Sequence, residues 1–431
     1  MRTLLSKIMV AGMSVSCAMQ APAADWPRWR GADFSDISAE TGLLKEWPQG
    51  GPKKLWSTQE AGLGYSGYSV SKGVLYTMGL KEDMELLLAF EAETGKLKWS
   101  SPVGPILKNK WGDGPRATPT VDGDRVYAMS GQGYLICANA ADGVSVWSAE
   151  MKSFGGKIPG WGYTESVLVD GDKVICMPGG EKGSLVDGDK VICMPGDEKG
   201  SLVALNKATG EKIWQTGAWT DGAQYSSAIA VDLNGVRQII ALTMQHVGGV
   251  DARNGSQLWL SDWQGKTAVI PTPIQKGNEV FISSGYGVGC KQVRIAADNS
   301  VSDVWTNTNM INHHGGVILY GDHLFGYSDK AGWSCLDWKT GEVKWADKSL
   351  GKGAIHCADG MFYLLEESSG VVALIDTSSQ AWTERSRFKI EPQTAQRKPD
   401  GRVWTHPVVS NGRLYLRDQE LIHCYDVRAG K

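Results

Sequence analysis

The chain has 431 residues and a formal net charge of −3 at pH 7. This balance supplies no basic surface for phosphate backbones, which argues against a nucleic-acid partner. Fifty-four glycines, and eighteen tryptophans against seven phenylalanines, are typical of short strands joined by tight turns, so an all-β fold is expected.

The first 24 residues have the layout of a cleaved secretory signal. Two basic residues precede an apolar run over 8–19, and small residues around Ala23 follow it. We therefore expect residues 1–24 to be removed and the mature protein to be periplasmic or secreted. Lipidation at Cys17 is the alternative, although Ser14 stands where a large aliphatic residue is preferred. No other apolar run reaches the roughly 18 residues that a membrane-spanning helix needs.

The next segment, 25–52, is polar and shows no regular pattern. We predict an irregular arm laid against the main domain, which spans 53–431. Trp26, Trp29 and Trp47 are its expected apolar anchors, with ligand stacking by these tryptophans as the alternative.

A repeat runs through the main domain. A small residue is followed six positions later by Gly and ten positions later by Trp, as in ALNKATGEKIW at 204–214. A period of roughly 40 to 50 residues with such a strand-turn-strand signature indicates a propeller. The repeat glycines and tryptophans are Gly95 and Trp99, Gly143 and Trp147, Gly210 and Trp214, Gly255 and Trp259, Trp305 alone, and Gly341 and Trp345.

The repeat predicts eight blades of four antiparallel strands. Six blades carry a repeat tryptophan, a degenerate region at 377–388 supplies the seventh, and the chain ends supply the eighth. KKLW at 53–56 carries the end of a unit that begins in CYDVRAGK at 424–431. Joining the two leaves no free sheet edge, so we expect a closed eight-bladed β-propeller that is a monomer.

Blade 3 contains a tandem duplication at 168–201. Residues 168–184 and 185–201 differ only at Gly180 and Asp197. Only one copy can fill the strand register of the blade, so the other must form an extra hairpin or an edge strand. The sequence leaves open which copy occupies the blade.

Three cysteines follow the repeat. Cys137, Cys335 and Cys424 fall six residues before the repeat glycine, where other units place Ala or Gly. Free cysteine acts as a small hydrophobic residue in such a slot. We therefore expect these thiols to be structural.

A ligand site is expected at one mouth of the channel. The connection into each innermost strand lies there, so residues far apart in sequence converge at this mouth. The candidate ligand-binding residues are Tyr65, Arg116, Tyr163, Glu165, Gln224, Tyr225, His313, His314, Trp404 and His406.

Two sets of these residues allow more than one role. Adjacent histidines on a strand point to opposite faces, so at most one of His313 and His314 should face the channel, and a metal site with His406 is the alternative. Arg116 and Glu165 are expected to form a channel ion pair, with anion recognition as the alternative. No GxSxG, HExxH or P-loop motif indicates catalysis.

The repeat AxDxxTGxxxW resembles that of pyrroloquinoline quinone (PQQ)-dependent dehydrogenases and of non-enzymatic relatives such as the outer-membrane assembly factor BamB. It matches at Ala89, Ala204 and Cys335 with the Gly and Trp that follow each, and the similarity covers roughly 53–431. In that family the Trp docks across blade interfaces while the Gly makes the turn. The resemblance therefore implies a structural role for the repeat residues.

The resemblance also implies what an active quinoprotein needs. Alcohol dehydrogenases of the family carry a Cys-Cys disulfide over the quinone, a calcium set of Glu, Asn and Asp, and an Asp base. This sequence has no adjacent cysteines, and the calcium ligands do not map onto it. We therefore predict no cofactor, and an exported non-enzymatic propeller that binds a protein or a small ligand. The alternatives are a divergent PQQ-dependent alcohol dehydrogenase-like oxidoreductase with PQQ and calcium, and a BamB-like scaffold for outer-membrane protein assembly.

Overall fold

The strands form the eight blades of a closed β-propeller, as predicted. The computed structural model describes residues 25–179 and 200–430, and its strands form eight sheets. Seven sheets have four antiparallel strands, and the eighth gains a fifth strand from the N-terminal arm. In blades 1 to 7 the strands are hydrogen-bonded in chain order, so the first strand of the blade lines the channel and the last lies outermost, whereas in blade 8 the outermost strand is β2.

The first eighteen strands belong to the arm (β1), to blade 8 (β2) and to blades 1 to 4. They are β1 (Ile37–Ser38) and β2 (Lys53–Thr58); in blade 1, β3 (Ser69–Ser71), β4 (Val74–Lys81), β5 (Met84–Glu91) and β6 (Leu97–Pro105); in blade 2, β7 (Thr120–Asp122), β8 (Arg125–Met129), β9 (Tyr134–Asn139) and β10 (Ser145–Glu150); in blade 3, β11 (Leu168–Asp170), β12 (Lys173–Cys176), β13 (Val203–Asn206) and β14 (Lys212–Gln215); and in blade 4, β15 (Ile229–Leu233), β16 (Val236–Leu242), β17 (His246–Asp251) and β18 (Gln257–Asp262).

The remaining strands build blades 5 to 8. They are β19 (Ile274–Lys276), β20 (Glu279–Ser284), β21 (Gly289–Ile295) and β22 (Val301–Asn307); β23 (Val317–Tyr320), β24 (His323–Ser328), β25 (Gly332–Asp337) and β26 (Val343–Asp347); β27 (Gly353–Ala358), β28 (Met361–Glu366), β29 (Val371–Asp376) and β30 (Glu384–Lys389); and β31 (Val408–Ser410), β32 (Arg413–Asp418) and β33 (Leu421–Asp426). One 3₁₀ helix, Met151–Phe154, follows β10. Across 25–179 and 200–430, no helix is long and apolar enough to cross a membrane.

The two chain ends share blade 8. Strand β2 pairs with β33 in an antiparallel register that places Lys53 opposite Asp426 and Trp56 opposite Cys424. The N-terminal segment is thus the outermost strand of a blade whose other strands come from the C-terminus. This confirms the closure that the split repeat predicted.

The repeat residues lie between neighbouring blades. The indole N–H of Trp99 in blade 1 donates to the carbonyl of Ala140 in blade 2 at 3.2 Å, and its ring covers Gly143, which adopts a φ of 75°. A Cβ atom at Gly143 would lie 2.4 Å from Cε3 of Trp99. Trp259 differs, since it donates to Gln238 within its own blade. The indole groups of Trp56, Trp147, Trp214, Trp305 and Trp345 donate to the carbonyls of Ala92, Lys207, Ala252, Trp338 and Ser378.

The repeat cysteines occupy tight slots within strands. Cys137, Cys335 and Cys424 are each 0% exposed, and each is a free thiol. Burial raises the pKa of the Cys137 thiol to about 11. These thiols therefore stay protonated at neutral pH and pack as small apolar groups.

The first copy of the duplication fills blade 3. Strands β11 and β12 come from residues 168–184, and β12 pairs directly with β13. Residues 185–199 of the second copy lie outside the described residues. The blade retains four strands.

The N-terminal arm lies within the channel. Trp26 forms a bridge with Val70 of blade 1, and the carbonyl of Pro27 accepts from the N–H of Val121 in blade 2 at 2.7 Å. Strand β1 pairs in parallel with β27, the innermost strand of blade 7. Because all of these partner strands line the channel, the arm lies inside the channel.

A buried charge network holds the arm there. Nη2 of Arg30 donates to the carbonyl of Val317 in blade 6 at 2.9 Å, and Nη1 lies 3.7 Å from Oδ2 of Asp36. The other oxygen of Asp36 lies 3.1 Å from Nδ1 of His356 in blade 7. Burial raises the pKa of Asp36, but the hydrogen bond from His356 and the charge of Arg30 outweigh it and leave that pKa below its ordinary value.

Candidate functional site

A cavity of about 500 Å³ occupies one mouth of the channel. Its walls come from the segments that lead into the innermost strands, and its floor comes from Trp29 and Arg30 of the arm. The indole N–H of Trp29 donates to Oγ1 of Thr272 at 3.0 Å, and its ring meets that of His406 edge-on at 4.7 Å. The arm therefore sets the depth of the cavity.

Residues two positions apart along each entering segment line the cavity. Alternation of side chains between the two faces of an extended segment accounts for this spacing, except at His314 and Gly316, where the backbone is irregular. The innermost strand of blade 7 contributes no such pair and is instead covered by β1. The pairs from the other seven blades are Tyr65 and Gly67, Arg116 and Thr118, Thr164 and Ser166, Tyr225 and Ser227, Ile270 and Thr272, His314 and Gly316, and Trp404 and His406.

Seven of the ten candidate residues meet in this cavity. They are Tyr65, Arg116, Tyr225, His313, His314, Trp404 and His406. Tyr163 and Glu165 lie on the opposite face of the segment that carries Thr164 and Ser166, and they point into the core of blade 3. The amide of Gln224 accepts from the N–H of Val269 at 3.3 Å and does not line the cavity.

Arg116 and Glu165 do not form the expected ion pair. The Glu165 side chain is 2% exposed, and its Oε1 accepts from the N–H of Met177 at 2.6 Å. Burial without a cation raises the pKa of Glu165 to about 8. This carboxyl group is therefore mostly protonated at neutral pH.

The guanidinium of Arg116 instead contacts the loop that precedes it. Nη1 donates to the carbonyl of Gly114, Nη2 donates to that of Gly112 at 2.7 Å, and the group lies 5.5 Å from the ring centroid of Tyr65. The nearby carboxylate of Asp113 pairs with Lys398 at 2.7 Å. Burial lowers the pKa of Arg116 from its ordinary value, but an arginine remains charged.

Both adjacent histidines line the cavity, so the expectation that at most one would face it was wrong. Strand alternation does not apply, because residues 311–316 are irregular and β23 begins only at Val317. Nε2 of His313 lies 2.7 Å from the hydroxyl of Tyr286. Burial, His314 and Lys352 together lower the pKa of His313 to about 2, which makes this imidazole neutral.

The other two histidines, His314 and His406, contact each other, and His314 also contacts a half-buried carboxylate. Nε2 of His406 donates to the carbonyl of His314 at 2.8 Å, and Nε2 of His314 lies 2.8 Å from Oε2 of Glu367. The indole N–H of Trp404 donates to the same oxygen at 2.8 Å. Within the described part of the chain, no group of three or more His, Cys, Asp or Glu side chains is arranged to hold a metal ion. Burial lowers the pKa of His406 to about 4.

Besides Trp29 of the arm, three aromatic residues of the cavity were not among the ten candidates. Trp111 and Trp161 lie in the connections that enter blades 2 and 3, and Tyr286 lies in the turn between β20 and β21. Neither tryptophan occupies the repeat position. This departure from the repeat is the signal in the sequence that could have identified the two residues as cavity residues. Tyr286 adopts a φ of 57°, which is uncommon for a bulky residue and is not visible in the sequence.

The cavity does not fit a PQQ-calcium centre. Calcium takes six to eight oxygen ligands, usually including carboxylates, and none of the described residues that line the cavity is Asp, Glu or Asn. The six described cysteines are all free, so none of them forms a disulfide over a quinone. The cavity walls instead present indole, phenol and imidazole rings.

The fold and the site define the class of protein: it is an eight-bladed propeller with an aromatic cavity at one mouth of its channel. The family model described as outer membrane protein assembly factor BamB matches residues 48–183 and 82–347. These matches cover more than half of the chain, which therefore belongs to this family of PQQ-like propellers. A comparison with curated proteins gave no match.

Several solved structures share the fold. BamB from Moraxella catarrhalis is 16% identical with a TM-score of 0.54, over 82% of this chain and 94% of that chain. Sqt1 from Saccharomyces cerevisiae is 10% identical with a TM-score of 0.57, over 87% and 99%. Quinohemoprotein alcohol dehydrogenase from Comamonas testosteroni is 14% identical with a TM-score of 0.48, over 95% and 81%. At such identities the likeness concerns the fold alone.

Proposed function

We propose that this protein is an exported, non-enzymatic propeller that binds a small organic ligand in the cavity at the channel mouth. The observation that carries the proposal is a concave space of about 500 Å³ within the usual range for ligand sites, roughly 300 to 1,000 Å³. Export rests on the layout of the first 24 residues. The neutral imidazole of His313 suits recognition by hydrogen bonding.

Aromatic walls favour a ligand with a flat apolar body. The rings of Trp161 and Tyr225 meet edge-on at 5.6 Å, and those of Tyr65 and Trp404 are tilted at 5.0 Å. Each pair joins segments from different blades. A planar ligand would therefore contact several blades at once and bury much of its apolar surface.

Calorimetric titration with a planar probe tests the proposal. We expect 2-naphthoate, 2-naphthamide or 2-naphthylmethylamine to bind at one site per chain. Trp161→Ala should weaken that binding roughly tenfold or more, since it removes a large contact surface. Trp382→Ala is the matched control, because Trp382 is also half-buried but lies in blade 7 away from the cavity. Absence of binding by all three probes, or equal binding by the Trp161→Ala variant, would contradict the proposal.

A role as a scaffold for outer-membrane protein assembly is the second candidate. The family match favours it, because the matching model carries the description of an assembly factor. Co-purification of an outer-membrane barrel insertase with the full chain, lost after mutation of the propeller surface but retained in Trp161→Ala, would support this role over ligand binding.

A divergent PQQ-dependent oxidoreductase is the enzymatic alternative. Adding PQQ and calcium to the purified protein and following dye-linked alcohol oxidation tests it. Turnover that saturates with PQQ would overturn the non-enzymatic proposal. We also expect a monomer, because the chain's own strand β2 completes blade 8 and no second copy is needed to close the ring. Light scattering of the purified protein will measure its mass.

A further inference from the structure

We propose that the ligand is an organic anion and that Arg116 binds its carboxylate. This inference rests on the proposed function, since it names the chemical class of the ligand in the same cavity. It depends on the charge of Arg116, on the free hydrogen-bond donors beside it, and on the lack of a competing carboxylate among the described residues of the wall.

The guanidinium of Arg116 has no ion-pair partner among the described residues. Of the two closest candidates, Asp113 pairs with Lys398 at 2.7 Å. Glu85 accepts from the backbone N–H groups of Leu107 and Gly131 at 3.0 and 2.8 Å, and burial raises its pKa. No described carboxylate lies within ion-pair distance of Arg116, which makes only two hydrogen bonds, both to backbone carbonyls.

A guanidinium has five N–H donors. Arg116 uses two of these donors in hydrogen bonds to backbone carbonyls. The residue is only partly buried, because its remaining surface faces the cavity. A charged donor group against apolar walls attracts an anion strongly, since little water is present to screen it.

Two tyrosine hydroxyls of the wall, those of Tyr225 and Tyr286, retain protons to donate, whereas that of Tyr65 donates to the carbonyl of Trp111 at 2.6 Å. The hydroxyl oxygen of Tyr225 accepts from the N–H of Trp161 at 3.3 Å, so its own proton is free. Nδ1 of His313 lies 2.9 Å from the ammonium of Lys352 and can only accept there, which places the imidazole proton on Nε2. The hydroxyl oxygen of Tyr286 accepts a hydrogen bond from that N–H group. The hydroxyl proton of Tyr286 is therefore free to be donated into the cavity.

The wall offers no charged group that would repel an anion. None of the described lining residues is Asp or Glu. Nearby carboxylates lie behind wall residues or their partners: Glu367 accepts from Trp404 and lies 2.8 Å from His314, and Asp329 pairs with Lys352 at 2.7 Å. The charge of Arg116 would repel a cationic ligand, and no carboxylate among the described lining residues would pair with it. The cavity therefore discriminates by charge as well as by shape.

Three probes of one shape test this inference. 2-Naphthoate, 2-naphthamide and 2-naphthylmethylamine share an aromatic body and differ in charge. We expect the carboxylate to bind roughly 10- to 100-fold more tightly than the amide, the range that one charge-assisted hydrogen-bonding group supplies, and the amine to bind most weakly. Equal affinities for carboxylate and amide would overturn the anion proposal but leave the proposed function intact. Failure of all three probes would overturn both.

Variants locate the effect at Arg116. Arg116→Gln should remove the preference for 2-naphthoate over 2-naphthamide, and Arg116→Lys should restore part of it by keeping the charge. Lys108→Gln is the matched control, because it removes one positive charge from an exposed position of the same loop outside the cavity. Thermal unfolding of each variant checks that the loop still folds. A charge preference that persists in a folded Arg116→Gln variant, or one that vanishes equally in Lys108→Gln, would contradict the assignment.

Discussion

The Nδ1 atom of His313 lies 2.9 Å from the Nζ atom of Lys352. An ammonium group has no lone pair to offer, so the imidazole must accept at Nδ1 and carry its proton on Nε2. Asp329 holds the ammonium in place at 2.7 Å. A partly exposed ion pair thereby fixes the tautomer of a cavity residue.

Replacing Lys352 with Met should release this tautomer. Nitrogen chemical shifts of His313 are expected to change from a single Nε2–H form to a mixture, and its pKa should rise from about 2 because one of the groups that lower it is gone. The pKa of His313 should still stay below its ordinary value, because burial is the largest cause of the lowering and remains in the variant. Lys348→Met, at an exposed position, is the control. An unchanged tautomer in Lys352→Met would show that Lys352 does not fix it.

Asp36→Asn should destabilise the whole propeller. The change leaves the charge of Arg30 buried without its carboxylate, which costs about 3 to 5 kcal/mol of unfolding free energy. Asn tolerates the φ of 63° at this position, so backbone strain does not add to the cost. Urea unfolding measures the loss, and Glu46→Gln, in an exposed part of the arm, should have little effect. Equal stabilities of the two variants would mean that the network contributes nothing.

The blades could be predicted from the sequence because their signals are local and repeated. The contact between Gly143 and Trp99 recurs between other repeat glycines and tryptophans. One motif therefore predicts many blade interfaces. The position of the arm could not be predicted in this way. Its partners, such as Val70 and Val317, lie far along the chain and carry no motif that marks them as channel-facing.

The site was predicted in part, and one physical cause accounts for the residues that were misplaced in blade 3. Side chains on an extended segment alternate between two faces, and the sequence alone did not reveal which face meets the channel. The choice was right for Tyr225 but wrong for Tyr163 and Glu165, whose neighbours Thr164 and Ser166 line the cavity instead. A polar residue in a connecting segment can equally be a buried hydrogen-bonding group.

The stability of the protein should fall as pH rises from about 4.5 to about 8 because of Glu165. The pKa of this carboxyl group is ordinarily 4.5 and is about 8 in the folded protein, so within this window the unfolded chain loses a proton that the folded protein retains. A tenfold change in proton affinity corresponds to about 1.4 kcal/mol of unfolding free energy. Glu165→Gln keeps the acceptor for Met177 and removes the titration, so its stability should depend less on pH.

Urea midpoints at pH 5 and pH 8 measure this effect. The difference between the wild-type protein and Glu165→Gln isolates Glu165 from other titrating groups. Glu93→Gln, at an exposed site, should change with pH as the wild type does. If Glu165→Gln shows the same pH dependence as the wild type, the carboxyl group is not protonated in the folded protein.

Gly143→Ala should destabilise the propeller more than Gly123→Ala does. Both glycines lie in blade 2 and have positive φ values, 75° and 62°, so an alanine at either position strains the backbone by about 1 kcal/mol or somewhat more. At Gly123 nothing lies within 4 Å of the added Cβ atom, whereas at Gly143 the Cε3 atom of Trp99 lies at 2.4 Å. Displacing that ring adds about 1 to 3 kcal/mol, because Trp99 also donates to Ala140 across the blade interface. Unfolding in urea measures the two losses, and equal losses would show that the contact between the ring and the glycine is not what constrains this position.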